Sequence, residues 1–300
     1  MNIYHKTTQK LRRKLQRSES LKGYLLLSPT ILVMAGIMLI PFIGMIILSL
    51  WTQIGYAKFD TTLTLNNFIV VFTNEMYRVL FSRSLVVSAM TTFLTVLLAY
   101  PMAYFVAFHV QRRKLLWIIL MTLPFWTSYL LRVFAWKVIL GYNGVINSGL
   151  LWLGIINEPI TLLLYNPSAV IITLTHAWAA FAILPIYVSL EKIDRSLLEA
   201  ATDLGDSPLA RFFRITLPLS LPGVVAATVL IFIPTVGDYV TPSLVGGSDG
   251  YMIANAIQFQ FGRGSNWPLG AALSLSSMAV VTVITIVYFL VSKTLTQNIR

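Results

Sequence analysis

Between Lys22 and Lys58 the chain carries no charged residue. A transmembrane helix needs only about 20 apolar residues, so this stretch has room for one complete crossing, placed at residues 24–50. Five further apolar runs follow at 85–108, 115–140, 168–190, 223–243 and 269–292. Residues of the apolar classes make up 57% of the chain, above the roughly 45–50% usual for a soluble domain. The expected fold is therefore all-α and polytopic, with six transmembrane helices.

The bases decide which way the helices run. The formal charge of +11 raises the possibility of a nucleic-acid partner, but its distribution argues for a membrane instead. Seven Lys and Arg precede the first span within residues 6–22, and three form the turn Arg112-Arg113-Lys114. Four more lie in residues 191–222 and two in the C-terminal tail, so 16 of the 22 bases fall on one side. Cytoplasmic flanks carry such an excess, which places both termini in the cytoplasm. Residues 1–22 are then a basic cytoplasmic tail, helical near 11–15, and 23–300 form the membrane domain. The apolar run after Lys22 is too long for a signal peptide. Trp51 and Tyr56 are placed as aromatic anchors at the outer interface. Outer segments at 52–83, 141–167 and 244–268 complete the topology. The first carries a short helix at 67–77, and the second has an interfacial apolar piece at 150–156. Arg132 and Lys137, at the outer end of the third span, read as side chains snorkelling to the interface, with contact to an anionic group as the alternative.

Residues 191–222 interrupt the apolar pattern with five acids and four bases. That charge density excludes hydrocarbon, so the segment is a water-facing loop. Its punctuation is helical. Ser196 followed by Glu199 reads as a capping box, and Gly205 as a helix stop. Ser207-Pro208 opens a second helix, and Pro218 is expected to close it. The pattern Glu199-Ala200-Ala201, Gly205, Ile215 and Leu217-Pro218 resembles the EAA motif of ABC-importer permeases. The resemblance implies a type I ABC-importer permease fold in which this loop is the coupling helix that docks on a cytoplasmic ATPase dimer.

Enzyme chemistry lacks its parts. No glycine is followed by lysine, so there is no P-loop, and nucleotide hydrolysis is not expected of this chain. Cysteine is absent, and His5, His109 and His176 are isolated, so no metal site, catalytic site or cofactor is expected. His176 reads as a packing residue. Pro41, Pro101, Pro124, Pro185, Pro234 and Pro242 distribute bends over five of the spans.

Three more blocks narrow the resemblance. Leu123-Pro124-Phe125-Trp126-Thr127-Ser128 through Leu131-Arg132 to Trp136, the block from Ile233-Pro234 through Gly237-Asp238-Tyr239 to Thr241-Pro242, and Asn266-Trp267-Pro268-Leu269-Gly270 are similar to the spermidine/putrescine permease subfamily. The subfamily implies a second permease subunit, a periplasmic or extracellular substrate-binding protein, surrounding lipid and no nucleic acid. Related permeases carry opines and other small organic ions, which stand as the alternative cargo. An ion-coupled secondary transporter is the alternative of another class. It would need coupling-ion sites, yet Asp238 is the one acid within an expected span, and the docking loop would have no use. Asp238 lies 16 residues after Pro222, about 24 Å along a helix. It is a candidate, with Tyr239 and Trp126, for a cation path in which a carboxylate and aromatic faces meet ammonium groups. A turn at Gly237-Asp238, with the carboxylate capping backbone amides, is the competing role.

Overall fold

The computed structural model describes residues 19–297. The helical expectation at 11–15 lies outside them. Helix α1 (Glu19–Ser49) is apolar on every side, as a helix must be when lipid rather than protein surrounds it. Its Leu26, Leu32, Met38 and Ile40 are all more than 70% exposed, and it leans on the last helix of the chain. A small antiparallel hairpin, β1 (Thr52–Gly55) and β2 (Lys58–Asp60), then interrupts the otherwise helical chain. Helix α2 (Asn66–Thr73) follows, anchored where the buried Asn67 amide donates to the carbonyls of Ser49 and Trp51 at 2.8 and 2.7 Å.

The second span begins well before residue 85. Helix α3 (Glu75–Tyr104) starts on an Asn74 cap that accepts from the Met76 amide, and it ends in a wide π turn at Phe105–His109. The π turn follows Pro101, whose missing amide disturbs the regular ladder.

The third span is not the continuous helix expected at 115–140. Helix α4 (Lys114–Thr122) tightens into a 3-10 turn at Leu123–Trp126, and the chain resumes as α5 (Tyr129–Ile139) at 82° to it. Pro124 sits inside the tightened turn, and neither Thr127 nor Ser128 has helical backbone angles, which ends the α ladder between the two halves. Helix α6 (Val145–Trp152) occupies the second outer segment and overlaps the expected interfacial piece, with Trp152 85% exposed.

Helix α7 (Pro167–Glu191) matches the fourth span. The loop helices are α8 (Arg195–Asp203) and α9 (Pro208–Arg211). Pro218 does not close the second of them. From α9 the chain passes through a π turn at Phe212–Thr216 directly into α10 (Leu217–Val236). The Leu217 amide reaches back five residues to the Phe212 carbonyl, so the widened turn absorbs the amide that Pro218 lacks. The fifth span thus begins in the loop and breaks at Gly237 rather than running to 243. A third π turn (Pro242–Gly246) and α11 (Ile253–Phe261) fill the last outer segment before α12 (Trp267–Gln297). Among the described residues five helices are long and apolar enough to cross a membrane, and the bent pair makes a sixth.

The centre of the bundle is α3, α7 and α10. Ala99, Ala103, Ala182 and Ala227 interleave there with Ile183, Ile186 and Ile231. Small residues bring helices close where lipid offers no hydrophobic drive to assemble them. An especially close approach is at Gly223, whose missing side chain faces the Pro185 carbonyl of α7. Its amide also donates to Ser189 Oγ at 3.2 Å.

Candidate functional site

The loop at 191–222 folds as a helical hairpin whose shape is specified by short-range bonds. Asp194, not Ser196, is the N-cap of α8, and its carboxylate accepts from the Ser196 amide at 3.0 Å. The capping-box expectation fails by two residues because an aspartate ahead of the serine supplies the better-placed acceptor. That hydrogen bond holds the exposed Asp194 carboxyl below its ordinary value.

The far end of α8 closes as a Schellman motif. The Gly205 amide donates to the Thr202 carbonyl at 2.9 Å and the Asp206 amide to the Ala201 carbonyl at 3.0 Å. Gly205 itself has φ +88°, a left-handed conformation that glycine adopts without penalty. Ser207 then caps α9 by accepting from Ala210 at 3.2 Å. Two side chains staple the helices together: Arg211 donates to Thr202 Oγ1 and Arg214 pairs with Asp206, both at 2.6 Å.

These bonds set the accessibility of the motif residues. Glu199, Ala200 and Gly205 are exposed, whereas Ala201 is buried on the inner face of α8. Ile215, Leu217 and Pro218 are half-buried in the π turn and the start of α10. The two ends of the motif therefore sit differently, the first on the outside of the hairpin and the second in its root. Leu204, Leu209 and Phe213, all more than half exposed, add apolar surface to the hairpin.

At the opposite end of the bundle, Asp238 is 9% exposed at the break that follows α10. Its Oδ1 accepts from the amides of Val240 at 2.9 Å and Thr241 at 3.4 Å, so it does cap the local turn. The Asp238 side chain is buried, while Gly237 and Tyr239 on either side of it are exposed. Oδ2 accepts from the Tyr129 hydroxyl at 2.5 Å. Because a phenol has one proton, the 2.5 Å contact between Tyr129 and Thr241 is a bond that Thr241 donates. Tyr239 is 46% exposed and Trp126 82% exposed, so both rings present accessible faces. Sequence reasoning misses Tyr129, because nothing in its local pattern marks it.

Arg132 is held by contacts within the protein. The bend carries α5 against α7, where the Arg132 guanidinium donates to the Ala177 carbonyl at 3.3 Å and lies 5.1 Å from the Phe125 ring centre. It stands in the wall of a cavity of about 540 Å³ together with Trp136 and His176, whose rings meet edge to face. Lys137 lies 5.9 Å from the Tyr165 ring centre. Among the described residues no three of His, Asp and Glu gather as a metal site would require.

Residues 78–299 match the family described as binding-protein-dependent transport system inner membrane component. The chain is 35% identical over 263 residues to the spermidine/putrescine transport system permease protein PotB of Haemophilus influenzae, covering 87% of this chain and 91% of the relative. It is 37% identical over 237 residues to PotB of Escherichia coli K12, covering 79% and 86% respectively. In fold it is similar to a chain of a bacterial alginate ABC transporter solved with an alginate pentasaccharide-bound periplasmic protein. The TM-score is 0.72 at 19% identity, over 96% of this chain and 98% of that one.

Proposed function

This chain belongs to the family of binding-protein-dependent transport system inner membrane components, and from that premise we propose that it imports polyamines of the spermidine and putrescine kind. It is a multi-pass inner-membrane permease with the architecture of type I ABC importers. In the proposed assembly it forms the translocation path with a second permease subunit. A periplasmic binding protein delivers the cargo from outside, and a pair of cytoplasmic ATPases supplies the energy. Both termini, the basic tail at 1–22 and the hairpin at 191–222 lie in the cytoplasm, as the distribution of bases favours.

The hairpin carries this reading. Glu199 and Ala200 stand on its exposed face, Ala201 packs inward, and Gly205 sets the angle between its helices. Ile215, Leu217 and Pro218 root it in α10. An exposed apolar edge in water calls for a protein partner, and Leu204, Leu209 and Phe213 supply one here. The ATPase surface is that partner.

Polyamine cargo is supported by the relatives' names and by the chemistry at the outer break. A polyamine is a chain of ammonium groups joined by methylenes. Trp126 and Tyr239 offer accessible aromatic faces for cation–π contact, and Asp238 offers negative charge beside Tyr239. These three residues are the proposed cation path.

The decisive experiment purifies the assembled complex with the periplasmic protein that accompanies it, then titrates that protein with spermidine, putrescine and an opine. Saturable binding of a polyamine, and polyamine-stimulated ATP hydrolysis by the complex, is the expected result. A binding protein that takes an opine and ignores polyamines overturns the cargo assignment.

A further inference from the structure

The cytoplasmic ends of three spans and the first residue of α8 meet around one backbone oxygen and one ammonium group. Ala107 lies in the π turn that ends α3, just before the chain becomes extended at Val110. Carbonyls at such an end have lost their helical partners and carry the negative end of the helix dipole. The Ala107 carbonyl accepts from Lys114 Nζ at 3.0 Å and from Arg195 Nη2 at 3.4 Å. Lys114 is the first residue of α4, and Arg195 is the first residue of α8. The same ammonium group is held by both carboxylate oxygens of Glu191, the last residue of α7, at 2.7 and 2.8 Å.

The arrangement is built from parts that are individually weak. The Lys114 and Glu191 side chains are 22% and 40% exposed, and ion pairs of that exposure add little to stability. Their geometry is nevertheless specific, because one ammonium satisfies three acceptors from two helices while a guanidinium from the hairpin shares one of them. The hairpin is covalently tied to α7 and α10, and at its root the Phe212 ring packs against Tyr100 and Tyr104 of α3. Through Ala107 it also grips the end of α3 and the start of α4.

We infer that Lys114 and Arg195, gathered on the Ala107 carbonyl, and Glu191, which holds the Lys114 ammonium, are positioning residues that transmit displacement of the docking hairpin to α3 and to the bent α4–α5 span. The inference rests on the proposal that an ATPase moves this hairpin, and it adds a route by which the movement reaches the membrane. Beyond the bend, Tyr129 joins that same span to Asp238. The joint therefore connects the cytoplasmic face to the outer break through a single span. Two-state coupling of this kind requires a contact that both ends bias, and the joint supplies one.

The test uses the assembled complex in nanodiscs and in proteoliposomes. The chain has no cysteine, so spin labels at Gln111→Cys and Ser196→Cys report the distance between the basic turn and α8 without background from this subunit. The parent complex is expected to show one distance population. Lys114→Met and Glu191→Gln should add a second population and raise the ATP hydrolysed per cargo imported by about fivefold or more. Complex yield and thermal unfolding should stay unchanged. Lys114→Arg retains a donor for both acceptors and should restore both readouts. Unaltered distances, or altered distances with the parent stoichiometry, overturn the inference. The distance measurement needs no cargo: should the parent import no polyamine, the cargo assignment fails, while unaltered distances in the variants still overturn the joint.

Discussion

The Tyr129 hydroxyl donates to Asp238 Oδ2 across 2.5 Å, joining the first turn after the bend in the third span to the break that follows α10. Each residue stands where a helix has lost its regular ladder, so one side-chain bond closes two interruptions at once. Buried carboxylates need such partners, and this one has the Val240 and Thr241 amides on its other oxygen.

Removing either end separates the roles of the pair. Tyr129→Phe leaves Oδ2 with one partner fewer and should destabilise the permease by about 1–3 kcal/mol, read as a lower unfolding midpoint in detergent. Asp238→Asn keeps an oxygen for the two amides and removes the charge. Polyamine uptake and polyamine-stimulated ATP hydrolysis should fall in Asp238→Asn at matched expression. If both stay at parent levels, Asp238 serves the turn alone.

At Gly205 the constraint is conformational rather than steric. An added Cβ would meet no atom within 4 Å, yet φ is +88°. Gly205→Val should strain the motif by about 1 kcal/mol or more, misdirect α9 and weaken ATPase association, with insertion into the membrane intact. Gly205→Asn, which tolerates left-handed backbone, should retain more of the association. Equal pull-down of the ATPase by both variants at parent level would remove the hairpin from the docking interface.

Gly223 is constrained by space. A Cβ there would come within 2.5 Å of both the Pro185 carbonyl oxygen and Ser189 Cβ. Gly223→Ala should force α7 and α10 apart and destabilise the bundle by about 1–3 kcal/mol. Gly44 in α1 provides the matched control, because a Cβ added there would meet nothing within 4 Å, and Gly44→Ala should not lower the unfolding midpoint. Identical midpoints for the two variants would mean that the close crossing is not rigid.

The Asp194 cap gives a pH dependence of known sign. Its carboxyl titrates below the ordinary 3.8 because the ionised form accepts the Ser196 amide. A depressed value in the folded state adds stability that is complete above 3.8 and lost as pH falls through the folded-state value. The protection factor of the Ser196 amide, taken against its intrinsic exchange rate at each pH, should therefore be high at neutral pH and fall in acid. Asp194→Ala should lack that protection throughout, whereas Asp194→Asn should keep it at low pH. Protection in Asp194→Ala at neutral pH would show that another group holds that amide.

The features legible in the sequence are the local ones. A charge-free run of this length has room for a crossing, and the uneven distribution of the bases favours one orientation of the apolar runs. Gly205 and Ser207 mark a helix stop and a cap because each acts on backbone within a few residues. Even there, Asp194 displaces Ser196, since two nearby candidate caps differ only in where the helix starts. Prolines mark where ladders are disturbed without saying how: Pro124 accompanies an 82° bend, while Pro218 passes through a continuous helix behind a π turn. What tertiary structure alone decided is partnership. Lys114 and Glu191 are 77 positions apart, Tyr129 and Asp238 are 109 apart, and no period or motif links them. Arg132 points inward because the bend brings Phe125 and Ala177 to it. Hydropathy tells each helix that it belongs in the bilayer, but lipid accepts an apolar face in any rotation. The choice among those rotations is made by close-packed small residues and a few side-chain bonds, and these exist only once the helices have met.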